Sequence, residues 1–322
     1  MSIPVFLFPG QGSQAVGMAK DLYESSAAAR ALIDQADKAL AAELGKSLKT
    51  VMFEGPEEAL LDTALQQPAI VLASLASLEA LKELTGRTDM RPPITAGLSL
   101  GEYSALAAAG AMEPLTAVRL VAIRGRLMAH AASLVKSSMA SVIADDLVLV
   151  KTVCAEVQAK RGGAAVVAPA NYNSPGQVAI AGDLDSLEAV IAELKAKGVR
   201  RIFPLKVSGA FHTTLMGPAV QGLSDALAKA DIRDAQSPVL ANVSAKPVKS
   251  AGEIRHALVE QLTHPVLWSD SIQKICADGH KAFVEMGPGK VLAGLLKRTV
   301  KEASILPGGT STEIQVLAAG LK

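Results

Sequence analysis

Ile94-Thr95-Ala96-Gly97-Leu98-Ser99-Leu100-Gly101 is the stretch on which the fold turns. Residues 94–96 form a short apolar and β-branched run, as a small buried strand needs. Residues 100–109 form an Ala-rich helical stretch, with Gly110 as its stop. Between them, Gly97-Leu98-Ser99-Leu100-Gly101 has the G-x-S-x-G spacing of a nucleophile elbow. Such a turn strains the serine backbone and leaves no room for side chains at its two glycines. It lifts the hydroxyl above the sheet at a helix N-terminus, where the dipole favours developing negative charge. The same letters fit a plain Gly-Ser turn at a strand end, and the spacing alone does not choose.

Upstream, Val5-Phe6-Leu7-Phe8 reads as a buried strand stopped by Pro9-Gly10. The loop Gly10-Gln11-Gly12-Ser13-Gln14 follows, and its amides suit a phosphate or an oxyanion. It is not G-x-G-x-x-G, and no G-x-x-x-x-G-K-[ST] is present, so a nucleotide site is the weaker reading. Residues 56–61 and 68–84 read as helices with proline near their starts. Glu113-Pro114 opens another helix that runs to about residue 132.

The texture then changes. Strands are expected at residues 141–144, 164–169, 177–181 and 201–207, with helices at 147–160 and 184–197. This β-α-β-β-α-β order is the split βαβ pattern of ferredoxin-like domains. Residues 239–243 and 282–285 return to the alternating texture as later strands, and Gly287-Pro288-Gly289-Lys290 is either a second anion loop or a plain turn. The expected fold class is α/β: a large α/β-hydrolase-like domain with a parallel sheet (1–132 and 207–322) and an inserted ferredoxin-like small domain (133–206).

Composition narrows the function classes. Of 322 residues, 32 are basic and 31 acidic, for a net charge of +1. That balance gives no field for nucleic acid, and 3% aromatic residues leave few stacking platforms. Cys154 and Cys276 have neither metal-ligand nor CxxC spacing, which fits a thiol-reducing compartment. Met1-Ser2-Ile3-Pro4 lacks a charged n-region. The best apolar run, residues 68–81, is broken by Ser74, Ser77 and Glu79, so no membrane span is expected. A cytoplasmic monomer is the expectation.

A serine nucleophile needs a base. Of His130, His212, His256, His264 and His280, only His212 follows an expected strand across small residues, Ser208-Gly209-Ala210. The C-terminal edge of a sheet is where α/β enzymes place such groups. A histidine that merely caps a turn fits the position equally well. No acidic residue lies near it in sequence, so a Ser-His dyad oriented by a main-chain carbonyl is more economical than a triad.

Arg124 stands out by periodicity. On the helix from Pro114, Arg119 and Arg126 share a face, whereas Arg124 points roughly 160° from Arg126 at about 100° per residue. Its stripe holds Ala117, Leu120, Val121 and Met128. A guanidinium on an apolar face needs a partner: a ligand carboxylate taken bidentately, or a core Glu or Asp.

Together these segments resemble the malonyl-CoA:acyl carrier protein transacylase family over nearly the whole chain and in order. The resemblance rests on Phe8-Pro9-Gly10-Gln11-Gly12-Ser13-Gln14, Gln66-Gln67-Pro68-Ala69, Gly97 to Tyr103, and Arg124-Gly125-Arg126. It continues through Asn171-Tyr172-Asn173-Ser174-Pro175-Gly176-Gln177, Ala210-Phe211-His212, Gln261 and Gly287-Pro288-Gly289-Lys290. It implies that Ser99 is the nucleophile, His212 its base, and Arg124 the holder of the malonyl carboxylate. The amides of Gln11 and Leu100 would form the oxyanion hole. The Gln261 carbonyl would orient His212, Gln67 and Asn173 would line the cleft, and Phe211 would crowd an α-methyl branch. Malonyl-CoA and the phosphopantetheine thiol of acyl carrier protein would be the partners, with no metal or redox cofactor.

Two positions depart from the family pattern. Leu98 stands where members commonly have His, and Lys136-Ser137-Ser138-Met139 replaces a usual Gly-rich stretch. The first touches the oxyanion side and the second the way into the small domain. An acyl-thioester hydrolase and a non-catalytic, carrier-docking subunit are the competing readings, since the elbow serves more than one reaction.

Overall fold

The computed structural model describes residues 3–163 and 165–321. Met1, Ser2, Lys322 and Ala164, the last expected to open a strand, lie outside that range. Ten strands occur among the described residues: β1 (Val5–Phe8), β2 (Thr95–Gly97), β3 (Ser137–Ile143), β4 (Val167–Ser174), β5 (Gln177–Asp183), β6 (Arg201–Pro204), β7 (Val239–Leu240), β8 (Pro247–Val248), β9 (Ala282–Met286) and β10 (Ser304–Gly308).

Six of them form one sheet in the order β10-β9-β1-β2-β7-β8. All its pairings are parallel except the edge pair β7–β8. Both faces are covered, which is why β1 reads as an unbroken apolar run. Phe6 and Phe8 point into one core cluster, and Val5 and Leu7 into another with Trp268, Ile272 and Leu296. Register places Phe8 beside Gly97, so the loop after β1 and the turn after β2 leave the sheet side by side.

The helix on the first face, Thr63–Thr85, starts five residues before the expected proline. The Asp62 side chain accepts from the Ala64 N–H at 2.9 Å and fixes that start. Pro68 therefore sits inside the helix, a placement that costs about 3 kcal/mol in an exposed helix. Here it is offset by burial of Ile70, Val71, Leu72, Leu75, Leu78 and Leu81. By length and composition the helix could cross a membrane, contrary to expectation. It is a core helix, with 89% of its apolar window buried inside the fold.

The other four strands form an antiparallel sheet, ordered β4-β5-β3-β6. The helices Leu147–Arg161 and Leu184–Ala196 join β3 to β4 and β5 to β6, giving the β-α-β-β-α-β chain order of a ferredoxin-like unit. Val150, Val153, Leu187 and Val190 on these helices bury against Val142 and Ile180. Strand limits differ from expectation. β3 begins at Ser137 rather than 141, β4 runs on to Ser174 through two irregularities, and β6 and β7 stop at Pro204 and Leu240. β4 is extended because the Val266 carbonyl accepts from Tyr172 N–H (2.8 Å) while the Val266 N–H donates to Ala170 (2.9 Å). These bonds tie the small sheet to the segment just before the helix Trp268–Ala277, beside a cleft of about 630 Å³.

Candidate active site

The cleft floor is the β2 turn. Ser99 has φ 53, in the left-handed region. Holding a non-glycine residue there costs of order 1–3 kcal/mol, and such strain collects where function needs it. The neighbouring glycines allow it. A Cβ on Gly97 would lie 1.9 Å from the Gly101 oxygen, and one on Gly101 would lie 2.3 Å from the Phe8 oxygen. Asn242 pins the turn: its Oδ1 accepts from Ser99 N–H (2.7 Å) and its Nδ2 donates to the Gly97 carbonyl (2.7 Å).

His212 follows β6 and has φ 60, also left-handed. Its Nε2 lies 2.8 Å from Ser99 Oγ, and its Nδ1 lies 2.7 Å from the Gln261 carbonyl oxygen. A carbonyl can only accept, so Nδ1 carries the proton. Nε2 is left bare to accept from the serine hydroxyl. Burial first, and then the nearby Arg124 charge, push the imidazole down to about 3 against the opposing pull of the Gln261 carbonyl.

Arg124 is buried, whereas Arg119 and Arg126 on its helix are exposed, as the periodicity required. Its Nη1 donates to Gln67 Oε1 (2.6 Å). Its Nη2 donates to Gln261 Oε1 (2.8 Å) and to Ser99 Oγ (3.0 Å). Nε has no partner among the described residues. Among the described residues Arg124 forms no ion pair, so the reading as a core salt bridge fails. Burial disfavours the charge, and Glu102 and Tyr103 at longer range support it.

Gln11, Leu100, Gln67, Asn173 and Phe211 line the same cleft. The amides of Gln11 and Leu100 have no acceptor among the described residues. Phe211, 4% exposed, packs beside His212. Ser137 Oγ accepts from the Ala210 N–H (3.1 Å), which ties the departing Lys136–Met139 stretch to the loop that carries His212.

Two residues were not singled out by sequence. Asn242 is one, and its only signal was a polar residue at the end of an apolar run. Glu102 is the other: 1% exposed, it accepts at Oε2 from Gln261 Nε2 (2.6 Å) and from the Asn242 main-chain N–H (3.2 Å). Burial pushes its carboxyl up to about 7, against the pull of those two bonds and of Arg124. Its signal was a carboxylate on a helix whose every other residue is apolar, small or aromatic.

The sequence and the fold are matched elsewhere. The acyl transferase domain family model covers residues 5–315. The malonyl CoA-acyl carrier protein transacylase of Bacillus subtilis is 41% identical over 322 residues, spanning 100% of this chain and 98% of that protein. The acyl-carrier-protein S-malonyltransferase structure from Bartonella henselae superposes with a TM-score of 0.91 at 37% identity, covering 99% of both chains. A malonyl-transacylase solved in complex with its type II polyketide acyl-carrier protein superposes at 0.88 with 37% identity, covering 99% of this chain and 100% of that one. The chain belongs to the malonyl CoA-acyl carrier protein transacylase family and is an acyltransferase.

Proposed function

We propose that this chain transfers a malonyl group from malonyl-CoA to the phosphopantetheine thiol of acyl carrier protein, through a malonyl ester on Ser99. The observation that carries it is the buried Arg124 guanidinium, 3.0 Å from Ser99 Oγ and without an anionic partner among the described residues. A buried cation beside a nucleophile selects an acyl group that ends in a carboxylate.

Ser99 Oγ attacks the thioester carbonyl as its proton passes to His212 Nε2. The Gln11 and Leu100 amides receive the oxyanion. The tetrahedral intermediate collapses, the C–S bond breaks, and the departing CoA sulfur takes the proton back from His212. The pantetheine thiol of the carrier then gives its proton to His212 and attacks the serine ester; the ester C–O bond breaks, and Ser99 Oγ takes the proton back from His212. Only protons and an acyl group move. Gln67 and Gln261 hold the guanidinium in place for the malonyl carboxylate. Asn173 and Phe211 bound the acyl end, the latter against α-branched groups. The relatives' names and the carrier complex support the substrate and acceptor.

Intact-mass measurement after mixing with malonyl-CoA should show one malonyl adduct, absent from Ser99→Ala and discharged by holo carrier protein. Continued CoA release without an acceptor would instead indicate a hydrolase. No adduct at all would indicate a docking subunit.

A further inference from the structure

The proposed chemistry leaves one buried ionisable group beside it unused, Glu102. Resting on the acyl-transfer reading of the same site, we infer that Glu102 is a positioning residue. It acts through the Gln261 side chain to fix the carbonyl that holds His212 and the amide oxygen that holds Arg124.

Gln261 is fully buried at the end of the Ala251–Glu260 helix. Its Oε1 accepts from Arg124 Nη2, and its Nε2 donates to Glu102 Oε2 (2.6 Å) and to the Ser99 carbonyl (3.0 Å). An amide can be seated two ways that differ only by exchange of O and N. The other seating would turn an NH₂ onto a guanidinium and an oxygen onto a carboxylate. Glu102 and Arg124 thus select the seating from opposite ends. The main-chain oxygen of the same Gln261 receives His212 Nδ1. A fixed Gln261 therefore sets both the base and the cation.

Charge placement gives the second reason for a carboxylate here. Glu102 supports the Arg124 charge without touching it, because Gln261 stands between them. A direct ion pair would occupy the guanidinium and exclude a substrate anion. A spacer amide keeps the field and leaves the donors.

The test is the single-turnover malonylation rate at saturating malonyl-CoA, a rate constant independent of the fraction of folded enzyme. Glu102→Ala should lower it about 30-fold and Glu102→Gln, which keeps an acceptor oxygen, only about fivefold, with KM within about twofold in both. In a Gln261→Ala background the same substitutions should cost less than about twofold, because the residue they act through is gone. A full-rate Glu102→Ala, or equal losses in both backgrounds, overturns the inference. If Glu102→Ala does not fold, Glu102→Gln decides: wild-type rate, or an equal loss in both backgrounds, overturns it. Absence of any adduct in the wild-type enzyme would strike the acyl-transfer reading itself.

Discussion

Two turns in this molecule share one plan and meet opposite ends. After β2, Gly97-Leu98-Ser99-Leu100-Gly101 leads into the helix Gly101–Ala108. After β9, Gly287-Pro288-Gly289-Lys290 leads into the helix Val291–Thr299. In the second, the protein supplies its own anion. Glu285, 1% exposed, accepts from the Leu292 N–H at Oε1 (2.9 Å) and from the Ala293 N–H at Oε2 (2.8 Å). In the first, Leu100 lines the cleft and its amide has no acceptor among the described residues. A strand, a glycine turn and a helix make an anion site only when the helix end is left open. The Gly287–Lys290 loop, which sequence left between anion site and plain turn, is the plain turn.

The largest expected effect of breaking the open turn is at its centre. Ser99→Ala should abolish the malonyl adduct, measured by intact mass, while the fold survives because left-handed strain at residue 99 is not relieved by losing one oxygen. Next is Arg124→Ala. Removing a desolvated charge partner costs roughly 2–5 kcal/mol, or about 30- to 4,000-fold in kcat/KM for malonyl-CoA. Acetyl-CoA should gain relative to malonyl-CoA. A variant that keeps malonyl transfer and still rejects acetyl-CoA would contradict the role of Arg124.

The same contrast explains what the sequence disclosed. Ser99, His212 and Arg124 were legible because each breaks a local rule: a serine between two glycines, a histidine after small residues, a guanidinium in an apolar stripe. Glu102 was not, because its partners Gln261 and Asn242 are brought to it by the fold from distant parts of the chain. Glu285 was not, because its partners are main-chain amides just ahead in the chain, which carry no side-chain signature. The helices Lys20–Ser25, Ala27–Leu44 and Leu48–Glu54 received no assignment from sequence. Side chains of Ser26 and Ser47 cap the latter two, a signal weaker than a Pro or Gly break. The start at Thr63 was hidden because proline marks a helix start only when no better cap precedes it.

The plugged turn should respond in stability rather than in rate. Glu285→Gln keeps one acceptor oxygen and puts an NH₂ against the other amide. The loss expected is about 1–2 kcal/mol, seen as a lower urea midpoint at unchanged slope. The malonylation rate should stay within about twofold, because Glu285 faces the helix end and not the cleft. A large rate loss with unchanged stability would mean the two turns are not as separate as their geometry suggests.

The smallest effect expected is that of mild acid on the open turn. An ordinary histidine base, with a pKa near 6.5, would lose activity tenfold per pH unit below that value. His212 is held at about 3 by burial and by Arg124, so it stays neutral and competent well below 6. The group that titrates is Glu102, at about 7, faced by Arg124 and Tyr103. Its protonated form still accepts from Gln261, as Glu102→Gln would. The single-turnover rate should therefore step down about fivefold around pH 7 and then stay level to about pH 5. Glu102→Gln should lack the step. Stability follows the opposite signs of the two shifts. The lowered His212 contributes stability above 6.5 that is lost as pH falls toward 3. The raised Glu102 contributes stability below 4.5 that is lost as pH rises through 7. A rate that keeps falling tenfold per unit below pH 6.5 would mean that His212 titrates as if it were exposed to water, and the open turn would then not be the dry site its burial implies.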